Sequence, residues 1–404
     1  MRDRYVILYT IFIFWILFMK SQILGINPTI YGWIKNAMGL ALLIPLLQNF
    51  GYFINGQYKY INCSILSFGV ISCISAYLNY NSVNSLNIQT WAIDGISYDL
   101  KAQESKDVFY QMLSLVATVY LIEILSNTGK LRLMVKTLFV CMALLTFFVD
   151  MDAFGNHDVL GGNSYMIGNK FAVCYTNIYL SILYYYLNPK LQGKSKYYML
   201  LLLFLSFAIC FHTLCSTALM AVGLFVFMAF LLPKRIKAKL YSTRVFFVTL
   251  FICDIVFFFF TTWFLQFPVV QDFVVNVLQE DLTLTGRLGI YQNIQKAFYE
   301  NPLLGFGYGN SAVISMMYTG AYDAQNGLVD MFIQVGLLGC VSFLLFMYFV
   351  YPNDKRLDVN TYPIIVFVFM ILAISMVEIP FNSKFLFFSM FLLGANVKCN
   401  QIIQ

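Results

Sequence analysis

Charge is what this sequence has least of. Lysine, arginine, aspartate and glutamate make up 11% of its 404 residues against 60% hydrophobic residues, and mean hydropathy is +0.74. Soluble domains run at roughly 25% charged and 45–50% apolar, so no soluble domain of ordinary size is left over. Metal-binding patterns are missing too: nine cysteines and two histidines contain no CxxC and no Cys/His cluster, which argues against a zinc-type centre. Cys63, Cys73, Cys141, Cys174, Cys210, Cys253 and Cys340 fall in apolar runs, where a thiol acts as a small hydrophobe, and no structural disulfide is expected. Arg2 and Arg4 before an apolar run imitate a signal peptide, but no small-x-small cleavage site follows and many more apolar runs do. The chain also shows no convincing internal repeat of the kind that marks many transporters.

What the sequence has is hydrocarbon-soluble helix. Apolar runs long enough to cross roughly 30 Å of lipid recur from end to end, and helices satisfy backbone polar groups inside a bilayer. The spans are placed at 5–24, 33–54, 61–80, 108–127, 132–149, 168–187, 197–213, 214–232, 244–266, 326–350, 361–378 and 382–398. The expected fold is an all-α polytopic bundle of about twelve transmembrane helices. It forms a single integral membrane domain over 1–404, with a large extracytoplasmic loop at 267–325 carrying short amphipathic helices. Asn55, Gly56 and Gln57 mark a cytoplasmic turn between early spans. Of the 25 basic residues, 17 fall in segments this layout puts in the cytoplasm, including Lys130, Arg132, Lys194, Lys196, Lys234, Arg235 and Arg356. That bias places both termini inside. The net charge of +6 therefore reflects orientation, not nucleic-acid binding.

Polar residues concentrate in the outer loops. The segment 81–107, with Trp91, Asp94, Asp99, Lys101, Glu104 and Lys106, reads as a solvated loop. The segment 150–168 is rich in the Gly, Asn and Asp of turns. Its Asp150, Asp152, His157 and Asp158 make only a weak cation-site pattern. Lys170 opens the next span and either snorkels to headgroups or meets a phosphate. His212 sits where two spans meet near the outer face, as an interfacial histidine or a spare general base. Within the spans, Glu123 lies near a cytoplasmic end and can reach Lys130 or water. Asp254 falls about ten residues into its span, near the midplane by helix rise, where an acid is expensive and commonly functional.

The densest polar pattern runs from Thr285 to Gly339. Thr285 can cap a helix that starts near Arg287 and stops at Asn301-Pro302. At 100° per residue, Ile290, Tyr291, Ile294, Ala297 and Phe298 form one face with Arg287 on the same side, while Lys296 points away. Arg287, the only arginine placed on the outer side, then sits tucked at a helix N-terminus that favours an anion, with a fork suited to phosphate oxygens. The structural alternative is a salt bridge to Glu280, Asp281 or Asp323. Gly305, Phe306, Gly307, Tyr308 and Gly309 follow a proline turn without a preceding strand, so a dinucleotide fold is not supported. Close backbone approach, with Phe306 and Tyr308 offering faces to sugar or lipid, is the better reading. In the next span Asn326, Asp330 and Gln334 recur at i, i+4 and i+8, a stripe that should face a cavity or other helices. Gly336 and Gly339 allow close helix packing below it.

At these residues the chain resembles a family, the bacterial O-antigen ligase and O-antigen or capsular polysaccharide polymerase superfamily. The resemblance rests on TGRLGIYQNIQKAF, NPLLGFGYGN and QNGLVDMFIQVGLLG, with a late large outer loop. Members are similar in having an arginine at the place of Arg287, a proline-glycine turn like Pro302 to Gly309, and usually a His-Asn pair opening the next helix. Here Gln325 stands at the histidine position and Asn326 is retained. Gln334 replaces a common glutamate, and STAL at Ser216–Leu219 lacks its customary basic residue.

The resemblance implies a multi-pass protein of a bacterial plasma membrane that joins glycans carried on undecaprenyl pyrophosphate, without cofactor or metal, at the outer face. A flippase and a chain-length regulator are compatible partners. Arg287 is then the group for departing charge; Gln325, Asn326, Asp330 and His212 complete the catalytic set. Lys170, Gly305, Phe306, Gly307, Tyr308 and Gln334 form the substrate-binding set. Glutamine cannot take a proton, so either positioning dominates or a base such as His212, Asp323 or Asp330 substitutes. A polymerase is the leading reading and a ligase with the same site the runner-up. A lipid-oligosaccharide flippase or solute transporter, suggested by Asp254, is the alternative from another class.

Overall fold

The computed structural model of the chain describes residues 2–86, 88–91, 97–155, 165–233, 236–237, 244–272, 275–276, 287–351, 362–379 and 384–402. The elements in order are α1 (Asp3–Phe18), α2 (Ser21–Leu24), α3 (Pro28–Gln48), α4 (Phe50–Asn55), α5 (Lys59–Asn84), β1 (Ile88–Trp91), β2 (Ser97–Leu100), α6 (Ser105–Asn127), α7 (Leu131–Gly155), α8 (Lys170–Leu187), α9 (Lys194–His212), α10 (Ser216–Val226), α11 (Arg244–Phe264), α12 (Pro268–Asp272), α13 (Arg287–Glu300), α14 (Ser311–Thr319), α15 (Gly327–Val350), α16 (Tyr362–Ile374) and α17 (Lys384–Ile402).

Six described helices, α3, α5, α6, α7, α9 and α15, are long and apolar enough to cross a membrane. Four shorter apolar segments, Ser216–Leu231, Val248–Thr261, Tyr362–Ile374 and Phe387–Asn396, accompany them. Among the described residues six helices meet that length, fewer than the twelve or so expected spans. Apolar runs continue past helix ends: the run at 33–54 holds α3, long enough to span, and then divides at Asn49, whose ψ of 32° separates it from α4, and in the run at 361–378 helix α16 stops at Ile374. The outer segment 81–107 is not plain loop either, since β1 and β2 pair antiparallel with Gln89 opposite Asp99.

The helices pack as a bundle in which α15 lies along α5, α5 and α3 along α6, and α7 to α9 side by side. α16 packs against α8, α10 and α17. Its residues Ile364 to Ile371 are all 0–1% exposed, as expected of a helix apolar on every face. Trp33, Tyr77, Phe204 and Phe211 face outward, which suits hydrocarbon rather than water. A second, smaller core joins Phe258 of α11, Tyr291 and Ile294 of α13, Val313 and Ile314 of α14, and Val329 and Ile333 of α15. α13 buries Tyr291, Ile294 and Ala297 and leaves Lys296 exposed, so its apolar stripe follows the helical period. This small core is the footing of the site.

α15 is not continuous. Gly336 sits at φ 61°, ψ −166°, and splits the helix. The turn after α13 is stitched into the gap: Phe306 and Gly307 donate from their backbone nitrogens to Ile333 O and Gln334 O at 2.8 and 2.9 Å, and Leu337 and Leu338 donate to Pro302 O and Leu303 O at 2.8 and 3.1 Å. These bonds satisfy backbone groups that a break inside a membrane would otherwise leave unpaired. Only glycine fits at the crossing, because a Cβ on Gly336 would lie 2.4 Å from Leu303 C and one on Gly305 2.6 Å from Ile333 O. The expected role of Gly336, close packing of a straight helix, is thus replaced by a break that admits the 302–309 turn.

Candidate functional site

Arg287 is the first residue of α13. Its Nε donates to Gln325 Oε1 at 3.3 Å, and its Nη2 lies 3.7 Å from Glu378 Oε1, with the two side chains 18% and 10% exposed. The second separation is an ion pair too long for a hydrogen bond. Gln325 is held from the other side: its Nε2 and backbone N donate to Asp323 Oδ1 at 2.5 and 3.1 Å. Its backbone is left-handed at φ 51°, a conformation worth about 1–3 kcal/mol of strain in a non-glycine residue and often met at functional sites. One helical turn along α13, the Tyr291 hydroxyl faces Gln325 O at 2.9 Å and Met376 O at 3.2 Å, fixing the turn that presents Gln325. Of the expected counter-charges, Asp323 reaches Arg287 through the Gln325 amide, and the direct ion pair goes instead to Glu378. Glu280, Asp281 and the expected cap Thr285 lie outside the described residues.

Asn326 caps α15. Its side-chain oxygen accepts from Val329 N at 2.9 Å and its Nδ2 donates to Asp254 Oδ1 at 2.7 Å. Asp254 Oδ2 accepts from Ser375 Oγ at 2.9 Å, and Ser375 O accepts from Gly327 N at 2.8 Å. Asp254, halfway along α11, therefore ties together the start of α15 and the end of α16. It is a buried acid with neutral partners.

One turn deeper, Asp330 is 1% exposed. It accepts from the Ser311 hydroxyl and, at 2.8 Å, from Gln334 Nε2. Gln334 Oε1 in turn accepts from Gly309 N at 2.8 Å. Asn310 locks the same turn, donating to Phe306 O at 2.8 Å and accepting from Gln103 N at 2.7 Å, which couples it to the segment after β2. Phe306 is 7% exposed with its ring against Tyr318, and Tyr308 packs edge-on to Phe68. Phe306 is thus buried and Tyr308 half-buried against these partners.

The remaining expected residues lie around this group. Asn169 caps α8, accepting from Ala172 N at 3.1 Å, and Lys170 Nζ donates to Leu214 O at 3.3 Å. The Lys170 charge is felt at Glu378, which places it on that side of the site. His212 ends α9, where its Nε2 lies 3.2 Å from Ala153 O and its ring 4.7 Å from that of Phe154; these contacts are with α7. Asp150 accepts from Asn177 Nδ2 and Asp152 from Met166 N, both at 2.7 Å, while His157 and Asp158 lie outside the described residues. No His/Cys/Asp/Glu cluster suited to a metal occurs among the described residues. Glu123 does not reach Lys130, which pairs with Asp3; it accepts from Asn62 Nδ2 at 2.9 Å in the core.

Two acids in connections between helices are electrostatically unusual. Glu378, four residues beyond the end of α16, is pushed up to about 7 by burial, against the pull of Arg287. Burial likewise raises Asp323 above the ordinary carboxylate range, opposed by its bonds from Gln325 and by Arg287. Sequence reasoning passed over Glu378 because it closes an apolar run. Its signal was there in Ser375 to Pro380, where polar residues and a proline end that run.

The arrangement is a guanidinium held between a glutamine amide and a carboxylate, on a footing fixed by Tyr291, Asn326 and Asp254. Such a fork, partly exposed and loosely paired, can accept a phosphate group. No curated protein matches the chain. Residues 201–344 match the family model described as O-antigen ligase, a stretch that takes in Asp254, Arg287, the 302–309 turn and the start of α15.

Proposed function

We propose that the protein is a polysaccharide polymerase that joins oligosaccharide repeat units carried on undecaprenyl pyrophosphate at the outer face of a bacterial plasma membrane. The observation that carries the reading is the Arg287 group, with its fork 3.3 Å from Gln325 and 3.7 Å from Glu378, of which Arg287 and Gln325 fall within the segment matched to O-antigen ligases. Both termini in the cytoplasm, a bundle of about twelve spans counting short helices, and a single domain over 1–404 with its 267–325 loop outside belong to the same reading. So do a flippase that delivers repeat units and a regulator of chain length as partners.

The chemistry asks for little machinery. A sugar linked to diphosphate is already activated at its anomeric carbon, so the enzyme must align an acceptor hydroxyl and stabilise the departing charge. Arg287 is assigned to the diphosphate, with Lys170 as a second cation toward the α8 side. Gln325 and Asn326 orient: the first keeps the guanidinium in place, and the second holds the helix end that presents it. The reaction needs no metal, because the leaving group carries its own activation and the guanidinium meets its charge.

Purified protein incubated with a lipid-diphosphate oligosaccharide tests the proposal. A ladder of products is expected. One transfer to a different acceptor makes the protein a ligase, and movement across vesicles without new glycosidic bonds makes it a transporter.

A further inference from the structure

The family histidine is absent here, and the acids nearest its replacement differ in how they are held. Asp254 has both oxygens bound, by Asn326 at 2.7 Å and Ser375 at 2.9 Å. Asp330 is bound by Ser311 and by Gln334 at 2.8 Å. Asp323 takes two donors of Gln325 on a single oxygen. Asp254 and Asp330 each use both oxygens to hold neighbouring side chains, so proton uptake there would cost those bonds, whereas Asp323 uses one oxygen to hold Gln325 and meets Arg287 through that side chain. Glu378 is different. Its ion pair is the long contact to Arg287 at 3.7 Å, and the Thr217 hydroxyl of α10 favours its charged form.

We propose that Glu378 stands in for the missing histidine and accepts the proton of the attacking hydroxyl, with Arg287 as the group whose departure to the diphosphate frees it. This rests on the glycan-joining reading above. A diphosphate carries more negative charge than one carboxylate, so it draws the guanidinium away from Glu378 when the donor binds. Glu378 then loses its nearest cation in a buried place, where proton affinity rises. The base is thus strengthened only when the donor is in place. In the transfer the acceptor O–H bond breaks and its proton passes to Glu378. A bond forms from that oxygen to the anomeric carbon, and the bond from that carbon to the diphosphate oxygen breaks, its electron pair leaving with the lipid diphosphate beside Arg287. The proton is shed to water when Arg287 returns to Glu378.

The groups acting on Glu378 come from several elements. Burial raises its proton affinity and so does Asp323, whereas Arg287, Lys170 and the Thr217 hydroxyl lower it. The phenols of Tyr175 and Tyr291 feel its charge in return. A base must be unprotonated to act, so kcat/KM, which follows the free protein, should fall as pH drops through the region near 7 where Glu378 titrates, and kcat, which follows the donor-bound protein, should begin to fall at a higher pH.

The test uses the full-length protein in nanodiscs with lipid-diphosphate oligosaccharide. Glu378→Gln is expected to lower kcat by about 10²–10⁴-fold, the usual share of a general base, with donor KM no higher than wild type and the acid limb of the pH profile gone. Thr217→Val, which keeps Arg287 and Glu378, should move that limb to higher pH, because it removes a hydrogen bond that favours the charged carboxylate. A Glu378→Gln protein with unaltered kcat and an unchanged acid limb overturns the proposal, and so does a limb that stays in place in Thr217→Val. Wild-type protein that forms a ladder together with an indifferent Glu378→Gln removes this inference alone. Wild-type protein that forms no glycosidic bond removes the parent reading as well.

Discussion

Two polar clusters sit one helical turn apart along the start of α15, and they are built on opposite principles. The deeper one, Asp330 with Ser311, Gln334 and Gly309, is closed: each oxygen of Asp330 has a donor, and the Gln334 amide is used at both ends. The upper one, Arg287 with Gln325 and Glu378, is left loose, with contacts of 3.3 and 3.7 Å and a partly exposed guanidinium. A buried network that is fully satisfied specifies one arrangement, whereas a charge paired at long range in a half-buried place can exchange its partner for a ligand. The lower cluster builds the platform, and the upper one is where the chemistry is proposed to take place.

The largest effect that would break this contrast is at Arg287. Arg287→Lys keeps the charge but gives up the bidentate fork, and loss of a preorganised donor to developing charge costs about 10²–10³ in kcat. Glycan product should fall by that factor while the melting temperature in detergent stays near wild type; normal product yields would move the site elsewhere. Next comes Gly336→Ala, which acts on the platform. A methyl group 2.4 Å from Leu303 C at φ 61° must push the 302–309 turn out of the break. Strain of this kind, about 1–3 kcal/mol before the clash is counted, should appear as a lowered melting temperature and reduced yield of folded protein. An unchanged melt would mean that α15 can close its gap without harm.

The sequence carried some of this and hid the rest for identifiable reasons. α13 was legible from Arg287 to its stop before Pro302 because a 100° stripe and a proline boundary are local signals. Its buried face is Tyr291, Ile294 and Ala297, as the period requires. The polar stripe of Asn326, Asp330 and Gln334 was equally legible, and it does turn inward. What was not legible depends on contacts far apart in the chain. The break at Gly336 is invisible to hydropathy, since apolar residues continue on both sides, and it exists only because the 302–309 turn supplies bonds from more than twenty-five residues earlier. The Arg287–Glu378 pair spans α14 to α16, and no period connects those positions. The close approach that the flanking glycines permit was legible in the 302–309 turn, but the ring partners Tyr318 of Phe306 and Phe68 of Tyr308 were not.

Asp330→Asn tests the lower cluster more gently. It keeps the shape but sets an amide donor where Ser311 and Gln334 both donate, at a cost of about 1–3 kcal/mol for an unsatisfied buried group. The comparison requires the melting temperature to fall and kcat to stay within the wild-type order of magnitude. A kcat that collapses without a change in melt would promote Asp330 from platform to chemistry.

The smallest effect is expected at Gln325→His. The backbone there is already left-handed, Asp323 stands ready to accept an imidazole N–H where it now accepts the amide, and Tyr291 fixes the carbonyl irrespective of side chain. Histidine should therefore seat without rearrangement, with turnover equal to or above wild type. Its unperturbed pKa of about 6.5 would give the acceptor a second route for its proton, so this variant should depend less on Glu378 than wild type does. Initial rates of Gln325→His with and without Glu378→Gln measure that dependence. If Gln325→His is folded but inactive, the bond from Arg287 Nε to the glutamine oxygen is itself indispensable, because a protonated imidazole nitrogen cannot accept it, and the upper cluster would then prove as fixed as the lower.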